Sequence, residues 1–189
     1  MSTLSRATGT TRERRRNDFY ATVDPRAVMP LLPFLEPEAY YLEPCAGDGS
    51  LIGLLDVHGH QCYGRFDLEP QCPYIPRRDA LTLQTRELRI ITNPPWFRAS
   101  LHPLIEHFAT MADEVWLLFD SSWPHTKAAT SIGQRLCTDI VSVGRLKWFL
   151  NSKHDATDDC SWYRFSTDKS APTRFHWPSG TRDQSARLL

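Results

Sequence analysis

An α/β fold, its sheet parallel except near the C-terminal edge, is predicted for this 189-residue chain by three observations. Short apolar runs alternate with stretches of helical periodicity through most of the sequence. Two of the strand candidates open directly into motifs rich in Gly or Pro, at residues 43–50 and 93–96. The last two strand candidates follow one another with only a polar loop between them, which an antiparallel hairpin allows. Hydrophobic residues make up 41% of the chain and charged residues 23%, enough for one sizeable core.

The elements follow in order. Residues 1–17 are rich in Ser, Thr and Arg and read as a basic, flexible arm. Asp24-Pro25 reads as an N-cap with proline in the first turn, ahead of a short helix through Val28, Leu31 and Leu32 that Pro30 and Pro33 limit. Tyr40-Tyr41-Leu42 is a short buried strand. Leu51, Ile52, Leu54 and Leu55 then lie at helical spacing, with Gly59 as the stop. Residues 61–67 form a second strand, and Pro70, Pro73 and Pro76 exclude a helix after it.

Residues 89–92 are a third strand. Leu101, Leu104, Ile105 and Phe108 stand at i, i+3, i+4 and i+7, an amphipathic helix. Five consecutive apolar residues at 115–119 mark a strand covered on both faces. A helix over 126–137 precedes the hairpin of strands 140–149 and 162–165, and residues 167–189 read as an irregular tail.

Lys plus Arg and Asp plus Glu number 22 each, so total charge favours no polyanionic partner. The distribution is uneven: net +4 over residues 1–16, −6 over 17–166 and +2 over 167–189. Basic ends on an acidic body could touch nucleic acid or simply be solvated. The five cysteines are scattered, without a CxxC pair, no apolar export segment follows the N-terminal charges, and no run reaches the roughly 20 apolar residues that span a bilayer. A cytoplasmic protein with free thiols and no membrane contact is expected.

Two motifs carry chemistry. In Glu43-Pro44-Cys45-Ala46-Gly47-Asp48-Gly49-Ser50, between strand and helix, glycines let backbone approach a ligand and the helix start offers N–H groups. It is neither a phosphate loop nor GxGxxG, and alone it reads equally as a tight turn. In Asn93-Pro94-Pro95-Trp96 the prolines fix the backbone so that the Asn93 side chain and the Pro94 carbonyl present acceptor oxygens to one spot, which suits an amino group. Trp96 offers a flat ring for stacking. Alone, this motif reads as a stiffened turn with a core tryptophan.

Together they resemble the class I S-adenosylmethionine-dependent amino-methyltransferases, particularly DNA adenine-N6 methyltransferases of the small phage type. The resemblance covers residues 18–166. It includes Phe19-Tyr20-Ala21-Thr22 upstream of the glycine loop, Asp67 closing the second strand, Asp79 in Arg78-Asp79-Ala80-Leu81, Gly144 to Trp148, and Trp162-Tyr163, in a gamma-like motif order. It implies a Rossmann-like class I methyltransferase fold with a mostly parallel seven-stranded sheet and an antiparallel C-terminal hairpin. It implies S-adenosylmethionine as cofactor, held by Tyr20, Thr22, Glu43, Cys45, Ala46, Gly47, Gly49, Asp67, Leu68, Asp79, Ala80 and Asn93.

By the same resemblance Asp67 accepts the ribose hydroxyls and Asp79 the cofactor's adenine amine. Asn93 and Pro94 hold the target amine, Pro95 stiffens them, and Trp96 stacks on the target ring. Extrusion of the adenine from a duplex costs a few kcal/mol, of which stacking returns roughly 1–3. No metal is implied. His58, His60, Cys62 and Cys72 lack the tight pairs of a zinc site, and Ser121-Ser122 lacks a nucleophile elbow.

The chain after residue 166 is too short for a separate recognition domain. DNA contacts are therefore expected from Arg12, Arg14, Arg15 and Arg16 of the arm and from Arg145, Lys147 and Lys153, with relaxed or short-site specificity. A monomer or homodimer is expected, in the host cytoplasm for a phage-encoded protein. The alternatives are methylation of an RNA adenine or a protein glutamine, or a catalytically silent protein that binds cofactor and DNA.

Overall fold

The structure, a computed structural model, describes residues 20–84, 86–148 and 154–178. Its strands are β1 (Tyr40–Glu43), β2 (Gln61–Arg65), β3 (Glu87–Thr92), β4 (Ala112–Asp120), β5 (Cys137–Arg145), β6 (Asp159–Phe165) and β7 (Arg174–His176). The helices are α1 (Ser50–Asp56), α2 (Arg98–Met111) and α3 (Lys127–Leu136). The seven strands form one sheet in the order β2-β1-β3-β4-β6-β5-β7. Only β6 runs antiparallel to its neighbours, β4 and β5. The predicted sheet with its antiparallel hairpin is therefore present.

Alternation along the central strands builds a core on each face. Ile90, Val115, Leu117 and Phe119 face the layer of α2 and α3, with Leu104, Ile105 and Phe108 beneath them. Ile91, Trp116 and Leu118 face the layer of α1 and the N-terminal segment, with Leu51, Leu55, Val28 and Leu31. Trp116 and Trp162 are wholly buried. The Trp162 indole N–H is satisfied by the Ala27 carbonyl at 2.7 Å, so its burial leaves no donor stranded.

Two expectations change. The helix expected after Asp24 is a pair of 3-10 turns, Pro25–Ala27 and Leu32–Phe34, because Pro30 and Pro33 leave no N–H for an α-helical ladder. Asp24 still caps the first turn, accepting the Arg26 N–H at 3.0 Å. The tail expected to be irregular contains β7, parallel to β5.

That strand is fixed by charge. At the end of the sheet opposite the Gly- and Pro-rich loops, Arg89 pairs with Glu114, and Arg164 bridges Glu114 (3.0 Å) and Asp139 (3.9 Å). Arg174 and His176 of β7 each reach the buried Asp139 at 2.9 Å. Burial raises the Asp139 carboxyl, but its hydrogen bonds, led by Arg174 and His176, outweigh that and hold it below the usual range.

Candidate active site

Beyond β1 the chain turns through Gly47 (φ 55°) and Gly49 (φ 85°), left-handed conformations that favour glycine, before α1 begins. Asp48 accepts the Ser50 N–H at 2.9 Å, a local Asx turn leading into α1, whose N-cap is Gly49. The loop is stitched to the end of β2: Ala46 N–H donates to Phe66 O and Phe66 N–H to Glu43 O. The Asp67 carboxylate accepts the Gly47 N–H at 2.8 Å and the Glu69 N–H at 2.7 Å. Two of its roughly four acceptor positions are thereby used and two remain.

On the neighbouring strand, Asn93 follows β3 directly. Its Nδ2 donates to Tyr20 O (3.0 Å) and to Thr22 Oγ1 (3.1 Å), which ties the N-terminal segment across the site. Its Oδ1 accepts the Trp96 indole N–H at 2.9 Å. That N–H also reaches Leu118 O at 3.2 Å. The Trp96 ring lies edge-to-face against Trp148 (5.4 Å) and tilted against Tyr20 (6.1 Å).

These pieces line one cleft of about 80 Å³. It brings together Tyr20, Thr22, Glu43, Cys45, Ala46 and Gly47 with Asp67, Asn93, Pro94 and Pro95, as the sequence led one to expect. It adds three polar or charged residues, Asp48, Glu69 and Gln71, and two apolar ones, Ala21 and Leu51, that the expected set did not include. Asp48 lay inside the glycine motif and Glu69 two residues past Asp67, so proximity to known motif positions was an available signal. Gln71 had none, since its place comes from its N–H bond to Gly47 O.

The cleft is acidic. Glu43, Asp48, Asp67 and Glu69 line it, and among the described residues no Lys or Arg does. Glu43 is buried, and its Oε2 has no hydrogen-bond partner among the described residues. Burial first, then the charges of Asp67 and Asp48, push its carboxyl well above the usual range. Burial likewise pushes the Cys45 thiol up, which makes it an unreactive wall of the cleft.

Other expected residues lie elsewhere. Leu68 is half exposed, and neither it nor Gly49 lines the cleft. Asp79 caps the 3-10 turn Ala80–Thr82, its Oδ1 accepting the Leu81 N–H, and Ala80 belongs to the buried core. The role expected of Trp96, a free stacking ring, meets an indole whose N–H is bound and whose ring is flanked by two aromatics. Arg145 is exposed and 3.7 Å from Asp159, while Lys147 is half-buried. Arg12, Arg14, Arg15, Arg16 and Lys153 lie outside the described residues.

His60 Nδ1 accepts the Ala39 N–H, and among the described residues no group of three His, Cys, Asp or Glu side chains is placed to hold a metal. A larger hollow, about 720 Å³, lies between α3 and residues 169–173 and contains none of the expected site residues. No helix among the described residues is long and apolar enough to cross a membrane.

No family model and no curated protein matches the sequence. Solved structures do match in fold. One is a candidate RNA methyltransferase from Pyrococcus horikoshii, 14% identical, covering 75% of this chain and 81% of its own, with a TM-score of 0.52. Another is a candidate class I S-adenosylmethionine-dependent methyltransferase from Listeria monocytogenes, 9% identical, covering 80% of this chain and 60% of its own, with a TM-score of 0.50. The chain has the class I methyltransferase fold.

Proposed function

We propose that this chain transfers a methyl group from S-adenosylmethionine to the N6 amino group of adenine in DNA. The observation that carries the reading is the fixed Asn93 amide, which stands at the end of β3 beside an acid-lined cleft. An acidic cleft with no lining cation and an unpartnered buried carboxyl oxygen, both among the described residues, fits a ligand that carries sulfonium and ammonium charge and donates from ribose hydroxyls. Asp67 has acceptor positions left for those hydroxyls, and Gly47, which lines the cleft, allows close backbone approach. Tyr20, Thr22 and Glu43 border the same space. When bound, the cofactor supplies an electrophilic methyl group.

The chain's own contribution is orientation. A base amino nitrogen is a poor nucleophile because its lone pair is delocalised into the ring. Asn93 Oδ1 keeps one lone pair beyond its bond to Trp96, and with the Pro94 carbonyl it can accept both amine hydrogens. Two acceptors draw the nitrogen toward tetrahedral geometry and aim its lone pair, without a covalent intermediate. Gly49, Leu68, Asp79 and Ala80 have no part in this proposal, because they do not line the cleft.

The test is transfer of labelled methyl to duplex DNA, single-stranded DNA, RNA and protein in parallel, with the modified base identified after digestion. Methyl groups on adenine N6 of DNA support the proposal. Label in RNA alone replaces DNA with the alternative substrate, and calorimetry showing no cofactor binding ends the methyltransferase reading. Asp67→Ala serves as control, with cofactor affinity expected to fall about 10- to 100-fold.

A further inference from the structure

We infer that Thr22 links the two substrates. Its hydroxyl oxygen fixes the Asn93 amide, and its hydroxyl proton goes to the cofactor's carboxylate, so that cofactor in the cleft sets the amide that receives the target amine. The inference rests on the methyltransferase reading above.

The Asn93 amide is held at both ends. Its Oδ1 accepts from Trp96, within the same motif. Its Nδ2 donates to Tyr20 O and to Thr22 Oγ1, more than 70 positions away. Both contacts on the nitrogen side thus come from one short segment, which lines the cleft opposite the glycine loop and Asp67. Downstream that segment is anchored at Asp24, which accepts the Arg26 and Lys147 N–H groups. At its other end the Tyr20 ring lies tilted against Trp96 and Trp148. Thr22 sits between these two holds.

Thr22 is 4% exposed and yet lines the cleft. A hydroxyl has one proton to give and two lone pairs that receive. One lone pair meets the Asn93 amide at 3.1 Å, and the proton has no acceptor among the described residues. A buried hydroxyl proton at the wall of a cleft calls for an acceptor on a ligand. S-adenosylmethionine carries one anionic group, its carboxylate, and an acid-lined cleft offers few donors to it. Once the proton is committed to that anion, the hydroxyl can only accept toward Asn93, and its polarised oxygen accepts more strongly. Thr22 is therefore a positioning residue, acting through Asn93, whose grip depends on what occupies the cleft.

The Asn93 side-chain amide reports this directly in NMR spectra of the full-length protein. S-adenosylhomocysteine, which keeps the carboxylate and has no methyl group to transfer, should shift the Asn93 amide resonances and slow their exchange with water about fivefold. At saturation 5′-methylthioadenosine, which lacks the carboxylate, should leave them unmoved. Affinity for an adenine-containing oligonucleotide should rise about fivefold with the first ligand and not with the second. Thr22→Val keeps the side-chain shape without the hydroxyl and should lose both responses, and Thr22→Ser should restore them. Asn93 resonances that ignore S-adenosylhomocysteine, or that respond equally in Thr22→Val, overturn the link. Equal responses of the wild type to the two ligands overturn it as well, whether or not Thr22→Val folds. A wild-type protein that binds no S-adenosylhomocysteine removes the methyltransferase reading and this inference with it, an outcome distinct from a silent amide in a loaded protein.

Discussion

The Asp24 carboxylate accepts the backbone N–H of Lys147 at 3.0 Å, joining points 123 residues apart. The same side chain caps the first 3-10 turn and pairs with Arg26 at 2.6 Å. It therefore fixes the chain just before Trp148, whose ring supports Trp96.

Asp24→Ala should destabilise the protein by about 1–3 kcal/mol, the range for a lost cap and an orphaned backbone donor, as measured by denaturant unfolding. The effect is pH-dependent. Burial raises the Asp24 carboxyl, but hydrogen bonds from Arg26 and Lys147 outweigh it and leave the group below the usual range. Its stabilisation is present above the unfolded-state carboxylate pKa and is lost as pH falls through the lower folded value. Wild type and variant should converge in acid.

Glu43 has the opposite sign. Its folded pKa is raised, so stability is greatest below the unfolded-state value and declines as pH rises toward the folded one. Glu43→Gln should have a higher thermal midpoint than wild type at pH 8, with the gap closing near pH 4. Cofactor binding should release a proton in the wild type, because a cationic ligand favours the ionised carboxylate. Calorimetry in buffers of different ionisation enthalpy reads that proton, and Glu43→Gln should abolish it.

Asn93→Ala should reduce turnover about 10²- to 10³-fold while cofactor affinity is retained, which single-turnover kinetics and calorimetry separate. Thr22→Val removes one of the two acceptors that hold the amide, and the loss should stay under about tenfold. Unchanged turnover in Asn93→Ala would take Asn93 out of the mechanism.

Deleting residues 1–16, with five arginines and one glutamate, should weaken DNA binding and flatten its dependence on salt, leaving cofactor affinity intact. Equal affinity and salt slope for the shortened and full-length chains would mean that the arm does not touch DNA.

What was legible in the sequence was local. The apolar run at 115–119 became part of the central β4, and the two motifs fell after β1 and β3, because strand periodicity and glycine or proline chemistry act over a few residues. What was not legible depends on distant partners. β7 exists because Arg174 and His176 find Asp139, a pairing across more than 30 residues that no periodicity announces. Asp79 matched a motif position, yet its carboxylate caps a turn. The contact between Trp96 and Trp148 spans 52 positions and was invisible until the strands were ordered.

β1 and β3 meet in register at a single pair, Leu42 with Ile90, and β2 and β4 lie on opposite sides of them. The cleft is thus a seam between two half-sheets with separate chemical vocabularies. The β2-β1 half contributes carboxylates, and the β3 half contributes an amide braced by aromatic rings. On the proposed reading, a change of substrate needs new side chains on one bank only. If the proposed reading holds, rewriting the segment after β3 for another amine should leave cofactor affinity, set by the acidic bank, at its wild-type value.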